Sequence, residues 1–101
     1  MESTFDQLIK NVHDWADAKA LLNKENAPKQ IMKVIEEFGE TCSAINKSDK
    51  FGVIDGLGDT FVTLIILCYQ LGYDPAMVLD VAWEEIKDRK GKTENGVFIK
   101  E

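Results

Sequence analysis

The chain places two short acidic clusters inside segments that are otherwise apolar. Glu36-Glu37-Phe38-Gly39-Glu40 is the first and Asp55-Gly56-Leu57-Gly58-Asp59 the second. A carboxylate set against apolar surface is costly unless a positive group neutralises it. A hard divalent cation with oxygen ligands does this, and Mg²⁺ is the usual choice where phosphates complete its shell. The clusters therefore point to a metal-dependent site for a phosphorylated ligand.

Such a site needs elements that hold the acids together. On a helix each residue advances about 100°, so positions three and four apart share a face. Glu37 and Glu40 are spaced i, i+3, and Asp55 and Asp59 are spaced i, i+4. Two antiparallel helices joined by a short loop would bring the pairs face to face. Gln30, Lys33, Glu37 and Glu40 form a polar stripe beside the apolar stripe of Ile31, Val34 and Phe38. Glu36 is turned about 100° from Glu37 and reads as more exposed. A solvated face paired with lysine accounts for Glu36 but poorly for Asp55 and Asp59, whose segment has almost no other polar surface. Gly39, Gly56 and Gly58 sit within helical patterns, where each costs up to about 1 kcal/mol relative to alanine. They mark either close approach of a helix or ligand, or relief of crowding at a helix crossing.

Four helices can be read, and hardly any strand. Ser3, with Asp6 three residues on, suits an N-cap for a first helix carrying Phe5, Leu8, Ile9, Val12, Trp15 and Ala16 to about Leu22. Pro28 fits the first turn of a second helix, with Ile31, Val34, Ile35, Phe38, Cys42 and Ile45 at helical spacing. Asn46 to Gly52 reads as a loop. A third helix, about Val53 to Leu71, is apolar nearly all round after Asp59, and Gly72 is its expected terminator. Neighbouring helices of so short a chain scarcely cover every face of it, so a homo-oligomer, dimer or tetramer, is expected. Asp74-Pro75 opens a fourth helix with Val78, Leu79, Ala82, Trp83 and Ile86, closed by Gly91 after Arg89 and Lys90. Asn95-Gly96 is a turn signal before a short strand-like Val97-Phe98-Ile99, a tail that can pack on a neighbour.

With 101 residues the chain makes one domain with a modest core. Its net charge of −6 argues against nucleic-acid binding and against anionic membranes. The longest apolar run, Phe61 to Tyr69, is too short for a bilayer. Cys42 and Cys68 lack a CxxC or histidine-rich context and read as small buried hydrophobes in a reducing compartment. Met1-Glu2-Ser3-Thr4 has no signal-peptide pattern, so the cytoplasm is expected.

Glu37-Phe38-Gly39-Glu40 and Gly56-Leu57-Gly58-Asp59 resemble the ExxE and ExxD blocks of MazG-like nucleotide pyrophosphohydrolases, of the all-α NTP pyrophosphatase superfamily. Gln30 to Glu37 is similar to that family's entry into its second helix, and Arg89-Lys90-Gly91-Lys92 with Asn95-Gly96-Val97-Phe98 to the tail of its short stand-alone members. The first ExxD acid is missing at Gly56, and Asp55 is the obvious substitute. The resemblance implies an all-α four-helix bundle completed by oligomerisation, spanning residues 1–101 as a single domain. It implies Mg²⁺-dependent hydrolysis of NTPs or dNTPs between the α and β phosphates, with Mn²⁺ an alternative ion. Glu37, Glu40 and Asp59 would be ligands, with Asp55 the fourth. One of the glutamates, or Glu36, would orient or deprotonate the water. Lys33, and Arg89 or Lys90, would contact phosphate, Gln30 would join them, and Trp15 is a base-stacking platform if it is not core. Trp83 reads as core, and the lone His13 as a surface residue of the first helix. Gly56→Glu is expected to be tolerated. A binding module with little turnover, and a helical protein whose acids only solubilise it, are the rival readings.

Overall fold

The computed structural model describes residues 2–101. Helix α1 spans Phe5–Ala18, and a 3-10 turn, Lys24–Asn26, leads into α2, Ala27–Asn46. Helix α3 is Lys50–Gln70 and α4 is Pro75–Ile86. Strands β1, Gly91–Glu94, and β2, Val97–Lys100, close the chain as an antiparallel hairpin in which Gly91 faces Lys100 and Glu94 faces Val97. The fold is the expected all-α arrangement of four helices, with the tail as its one small sheet. Helix α3 is central and touches the other three.

The capping residues differ from those expected. Thr4, not Ser3, caps α1. Its hydroxyl accepts from the N–H of Gln7 (3.1 Å), and Gln7 Oε1 accepts from the N–H of Thr4 (2.8 Å). This reciprocal box needs a residue at the fourth position that reaches back, which Gln7 does. Asp49 caps α3 by accepting from the N–H of Gly52 (3.0 Å), so α3 begins at Lys50 and the expected Asn46–Gly52 loop shrinks to residues 47–49. Asp74 and Pro75 open α4 as expected, with Asp74 accepting from the N–H of Ala76 (2.8 Å).

Three helices end in the same motif. The N–H two residues beyond the C-cap donates to a carbonyl in the last turn: Leu21 to Ala16 (2.9 Å), Asp49 to Ala44 (3.0 Å) and Tyr73 to Cys68 (2.8 Å). The residue between is left-handed in each case: Ala20 at φ 58°, Ser48 at φ 56° and Gly72 at φ 85°. Only Gly72 announced itself. The left-handed turn at Ala20 is why α1 stops at Ala18, short of the expected Leu22. Helix α4 ends at Ile86, not Gly91, in a turn closed by the Arg89 N–H on the Ile86 carbonyl (2.9 Å). Gly91 instead starts β1, where a Cβ would fall 2.6 Å from Phe98 Cζ. Asn95 (φ 51°) and Gly96 (φ 79°) make the hairpin turn.

The buried apolar set is small: Ile9 and Ala16 of α1, Ala27, Val34 and Ala44 of α2, Ile65 and Ile66 of α3. Two glutamines tie the backbone across it. Gln30 Nε2 donates to the Thr63 carbonyl (3.1 Å), and buried Gln70 Nε2 to the Leu21 carbonyl (2.9 Å). Many larger apolar side chains stay outside, among them Phe38, Ile54, Phe61 and Trp83. Trp83 is therefore not core within this chain, and Cys42, expected buried, is exposed because it faces away from α3. His13 is half-buried, edge-on to Tyr69 with ring centroids 4.6 Å apart. At 21 residues α3 is long and apolar enough to cross a bilayer, longer than the apolar run within it suggested. Here it carries Asp55 and Asp59 and packs along α2 instead.

Candidate active site

The crossing of α2 and α3 places the acids. Gln30 meets Thr63 and Thr41 meets Gly56, so the indices run in opposite senses and the helices are antiparallel. The tight link at residues 47–49 sets Glu37 and Glu40 opposite Asp55 and Asp59.

Glu37 lies at the middle of the group. It is half-buried, and its Oε2 is out of reach of solvent with no hydrogen-bond partner. Desolvation pushes its carboxyl above the usual glutamate range, and Glu40, Asp59 and Glu36 add to the push by charge and, for Glu40, by a hydrogen bond. Glu40 and Asp55 face each other across a groove of about 280 Å³ that continues past Lys47, Asp49 and Gly52. Asp59 is half-buried and Asp55 exposed. Glu36 is exposed, as expected, and Lys33 Nζ lies 3.6 Å from its Oε2. As the side chains stand, no three of the described carboxylate, imidazole or thiol groups converge on one cation-sized position. Like charges without a counter-ion splay apart. A buried, unpartnered carboxylate oxygen flanked by further carboxylates still fits a cation, which would supply the missing partner.

Gly56 has a different role from the one its place in the acidic pattern suggested. It is buried against Thr41, and a Cβ there would overlap the Thr41 hydroxyl and stand 3.2 Å from the Thr41 Cα. The expected tolerance of Gly56→Glu is therefore corrected: the helices touch at this point and leave no room for a side chain. Gly39 and Gly58 have nothing within 4 Å of a Cβ, so neither serves a crossing within the chain.

Sequence reasoning passed over three threonines. The hydroxyls of Thr41, Thr60 and Thr63 donate to the carbonyls of Glu37 (2.8 Å), Gly56 (2.7 Å) and Asp59 (2.9 Å). Each sits one turn after a residue of the acidic blocks, the spacing that lets a threonine bond back along a helix. That spacing was visible in the sequence. Gln30, expected at the ligand, has its amide nitrogen committed to α3, so it braces the two helices. Trp15 is half-exposed and lines a groove with Leu8, Val12 and Val62, and Val62 is one turn along α3 from Asp59. Arg89 is held by Glu85 (3.1 Å), and among the described residues neither Arg89 nor Lys90 pairs with the acids. A separate groove between α1 and the start of α4 is lined by Asp6, Lys10, His13, Asp14, Tyr69 and Asp74. Within it Lys10 Nζ pairs with Asp14 (2.6 Å), and His13 Nδ1 lies 3.0 Å from the same carboxylate.

A profile described as phosphoribosyl-ATP pyrophosphohydrolase matches residues 1–90. The chain belongs to this family. The phosphoribosyl-ATP pyrophosphohydrolase family is part of the MazG-like all-α NTP pyrophosphatase superfamily, so the match reaches the superfamily expected from the acidic blocks without singling out a MazG form. An 18.2 kDa protein of Haemophilus phage HP1 described as uncharacterized, from the rep-hol intergenic region, is 39% identical over 71 residues, which is 70% of this chain and 44% of that protein. The chain thus covers less than half the length of this relative. No solved structure matches.

Proposed function

We propose that the protein is a divalent-cation-dependent nucleotide pyrophosphohydrolase, which splits an NTP or dNTP between the α and β phosphates into the nucleoside monophosphate and pyrophosphate. The observation that carries this reading is the buried, unpartnered Oε2 of Glu37 beside Glu40 and Asp59. Glu37, Glu40, Asp55 and Asp59 would hold Mg²⁺, or Mn²⁺, which when bound neutralises phosphate charge and helps orient water. Water adds to one phosphorus of the α–β anhydride, the bridging oxygen leaves on the other, and a glutamate takes the water's proton. Glu36, exposed beside Glu37, is placed to take that proton, while Glu37 turns its buried, unpartnered oxygen to the ion. Lys33 is exposed and only loosely paired, free to turn to phosphate. Trp15 offers an open ring for a base. The protein acts as a homo-oligomer, which the uncovered apolar surface supports.

Phosphoribosyl-ATP is a second candidate substrate, favoured by the family match over residues 1–90. Cleavage at its α–β anhydride gives the same pyrophosphate. The deciding experiment follows pyrophosphate release from a panel of NTPs, dNTPs and phosphoribosyl-ATP, with Mg²⁺ and with a chelator. Mg²⁺-dependent release is expected, reduced by at least about a hundredfold in Glu40→Gln and Asp59→Asn with helicity unchanged. Asp55→Asn should raise the Mg²⁺ needed for half-maximal rate by about tenfold. Mg²⁺ stabilisation without turnover of any substrate would make the chain a binding module. Neither stabilisation nor turnover would leave the acids a solubilising role.

A further inference from the structure

Two grooves open along the α2–α3 hairpin, one on each side of the acids. The first is lined by Leu8, Asn11, Val12, Trp15 and Val62, and Val62 stands one turn beyond Asp59 on α3. It lies toward the contact of Gln30 with the Thr63 carbonyl, at the end of the hairpin away from the link. The second is the groove of about 280 Å³ between Glu40 and Asp55, which runs past Ser43, Lys47 and Asp49 to the link itself. Because α2 and α3 are antiparallel, the acids fall between the two grooves. The second is smaller than the roughly 300–1,000 Å³ that encloses a whole drug-sized ligand, so it suits one end of a nucleotide.

Lys47 is the one cation that lines this second groove. It is the C-cap of α2 and keeps helical backbone angles (φ −91°, ψ −1°). Lys33, Glu40 and Lys47 follow one another at intervals of seven residues. Each interval is about two turns, or about 10.5 Å along the axis, and turns the side chain by only about 20°. The two lysines therefore flank Glu40 on one face of α2. Helical Cα–Cβ bonds tilt toward the N-terminus, so Lys47 leans back over Ser43 toward Glu40. Among the described residues Lys47 enters no ion pair, although three carboxylates line its groove. Asp49 is occupied in capping α3 through the N–H of Gly52 (3.0 Å). Other cations are already paired: Arg89 with Glu85 (3.1 Å), Lys87 with Glu84 (2.6 Å) and Lys92 with Glu94 (2.9 Å). Lys33 stands on the other side of Glu40, 3.6 Å from Glu36. A phosphate chain that starts at the acids and runs into the second groove would meet the Lys47 ammonium next.

We propose that Lys47 binds the terminal phosphates of the substrate, which lies along the hairpin with its base at Trp15, its α phosphate at the acids and its pyrophosphate half over the link. This rests on the pyrophosphohydrolase reading above and gives it a direction: the groove favours a ligand with two phosphates beyond the cleaved bond. Lys47 Nζ donates to phosphate oxygens and faces the charge of the departing pyrophosphate. The test uses the full chain and calorimetric titration with inorganic pyrophosphate in Mg²⁺, which needs no turnover. Lys47→Ala should weaken this binding by about tenfold or more, and Lys47→Arg should restore most of it. Lys50→Ala, the same loss of charge three residues on and outside the groove, should change it by less than about twofold. Mg²⁺ alone should bind Lys47→Ala no more weakly than wild type. In the turnover assay, Lys47→Ala should raise KM and the inhibition constant of pyrophosphate by about tenfold, and that of the nucleoside monophosphate by less than about twofold. Pyrophosphate binding and KM unchanged in Lys47→Ala, even with a lower melting point, would leave this lysine only its favourable place at the α2 C-terminus and overturn the proposal. So would an equal loss in Lys50→Ala, or an equal weakening of the monophosphate. Each of these results spares the pyrophosphohydrolase reading. A wild-type protein that neither binds pyrophosphate in Mg²⁺ nor releases it from any substrate overturns both.

Discussion

Gly56, Gly39 and Gly58 look alike in sequence and differ in what they touch. Gly56 stands against the Thr41 backbone, so Gly56→Ala forces α2 and α3 apart. We expect a loss of about 1–3 kcal/mol by urea unfolding. Gly39→Ala and Gly58→Ala meet open space and should gain up to about 1 kcal/mol through helix propensity. A Gly58→Ala protein that is more stable but slower would show that a ligand comes close there. The carboxyl of Glu37 gives a pH signature in the metal-free protein. Its folded pKa is raised, so between the ordinary glutamate range and that raised value the folded state holds more proton than the unfolded one. Its contribution is then fully present below the ordinary range and is lost as pH rises through the raised value. Denaturation midpoints of the metal-free protein should therefore fall with rising pH across that window, and Glu37→Gln should flatten the dependence and stabilise the neutral-pH apo protein.

Helix termini set the lengths of the elements, and two of them carry strain. Ala20 and Ser48 occupy left-handed positions that an L-residue adopts at a cost of roughly 1–2 kcal/mol. Ala20→Gly and Ser48→Gly should each raise stability by about 0.5–1 kcal/mol, read as a higher urea midpoint at unchanged slope. Gly72→Ala should lower it by a similar amount. Ser48 lies in the three-residue link that brings the acid pairs together, so Ser48→Gly also tests how much stability this link limits. Asp74→Ala removes the cap of α4 and should cost about 1 kcal/mol.

Among the described residues only a few apolar side chains are buried, and large ones such as Phe38, Ile54, Leu57 and Phe61 are exposed. A fold completed by a second copy has a stability that depends on concentration. The thermal midpoint should rise steadily over a hundredfold increase in protein concentration, and this slope should vanish in Phe38→Glu if that variant folds. Mg²⁺ should raise the thermal midpoint of the wild-type protein and have little effect on Asp59→Asn, since Asp59 is among the carboxylates that would hold the ion.

Periodic, local features were legible in the sequence. The 3–4 spacing of α2 and α3, Pro28, Asp74-Pro75 and Gly72 fixed where helices lie, because each acts within a turn or two of itself. The i, i+3 and i, i+4 carboxylate pairs could be assigned to shared faces for the same reason. The excess of apolar surface on α3 was also readable, since no short chain can cover a helix on every side. The tertiary structure decided what depends on the residue across the gap. It made Gly56 a contact point with Thr41, turned Gln30 into a brace on the Thr63 carbonyl, and left Glu37 as the acid with a buried, unpartnered oxygen. It also showed Cys42 and Trp83 exposed, and it ended α1 and α2 through left-handed Ala20 and Ser48, where no glycine signalled a stop. The two stops are local turns without a glycine to mark them, whereas the other outcomes are set by packing between segments distant in the chain, and a one-dimensional pattern carries no information about which partner a side chain will meet.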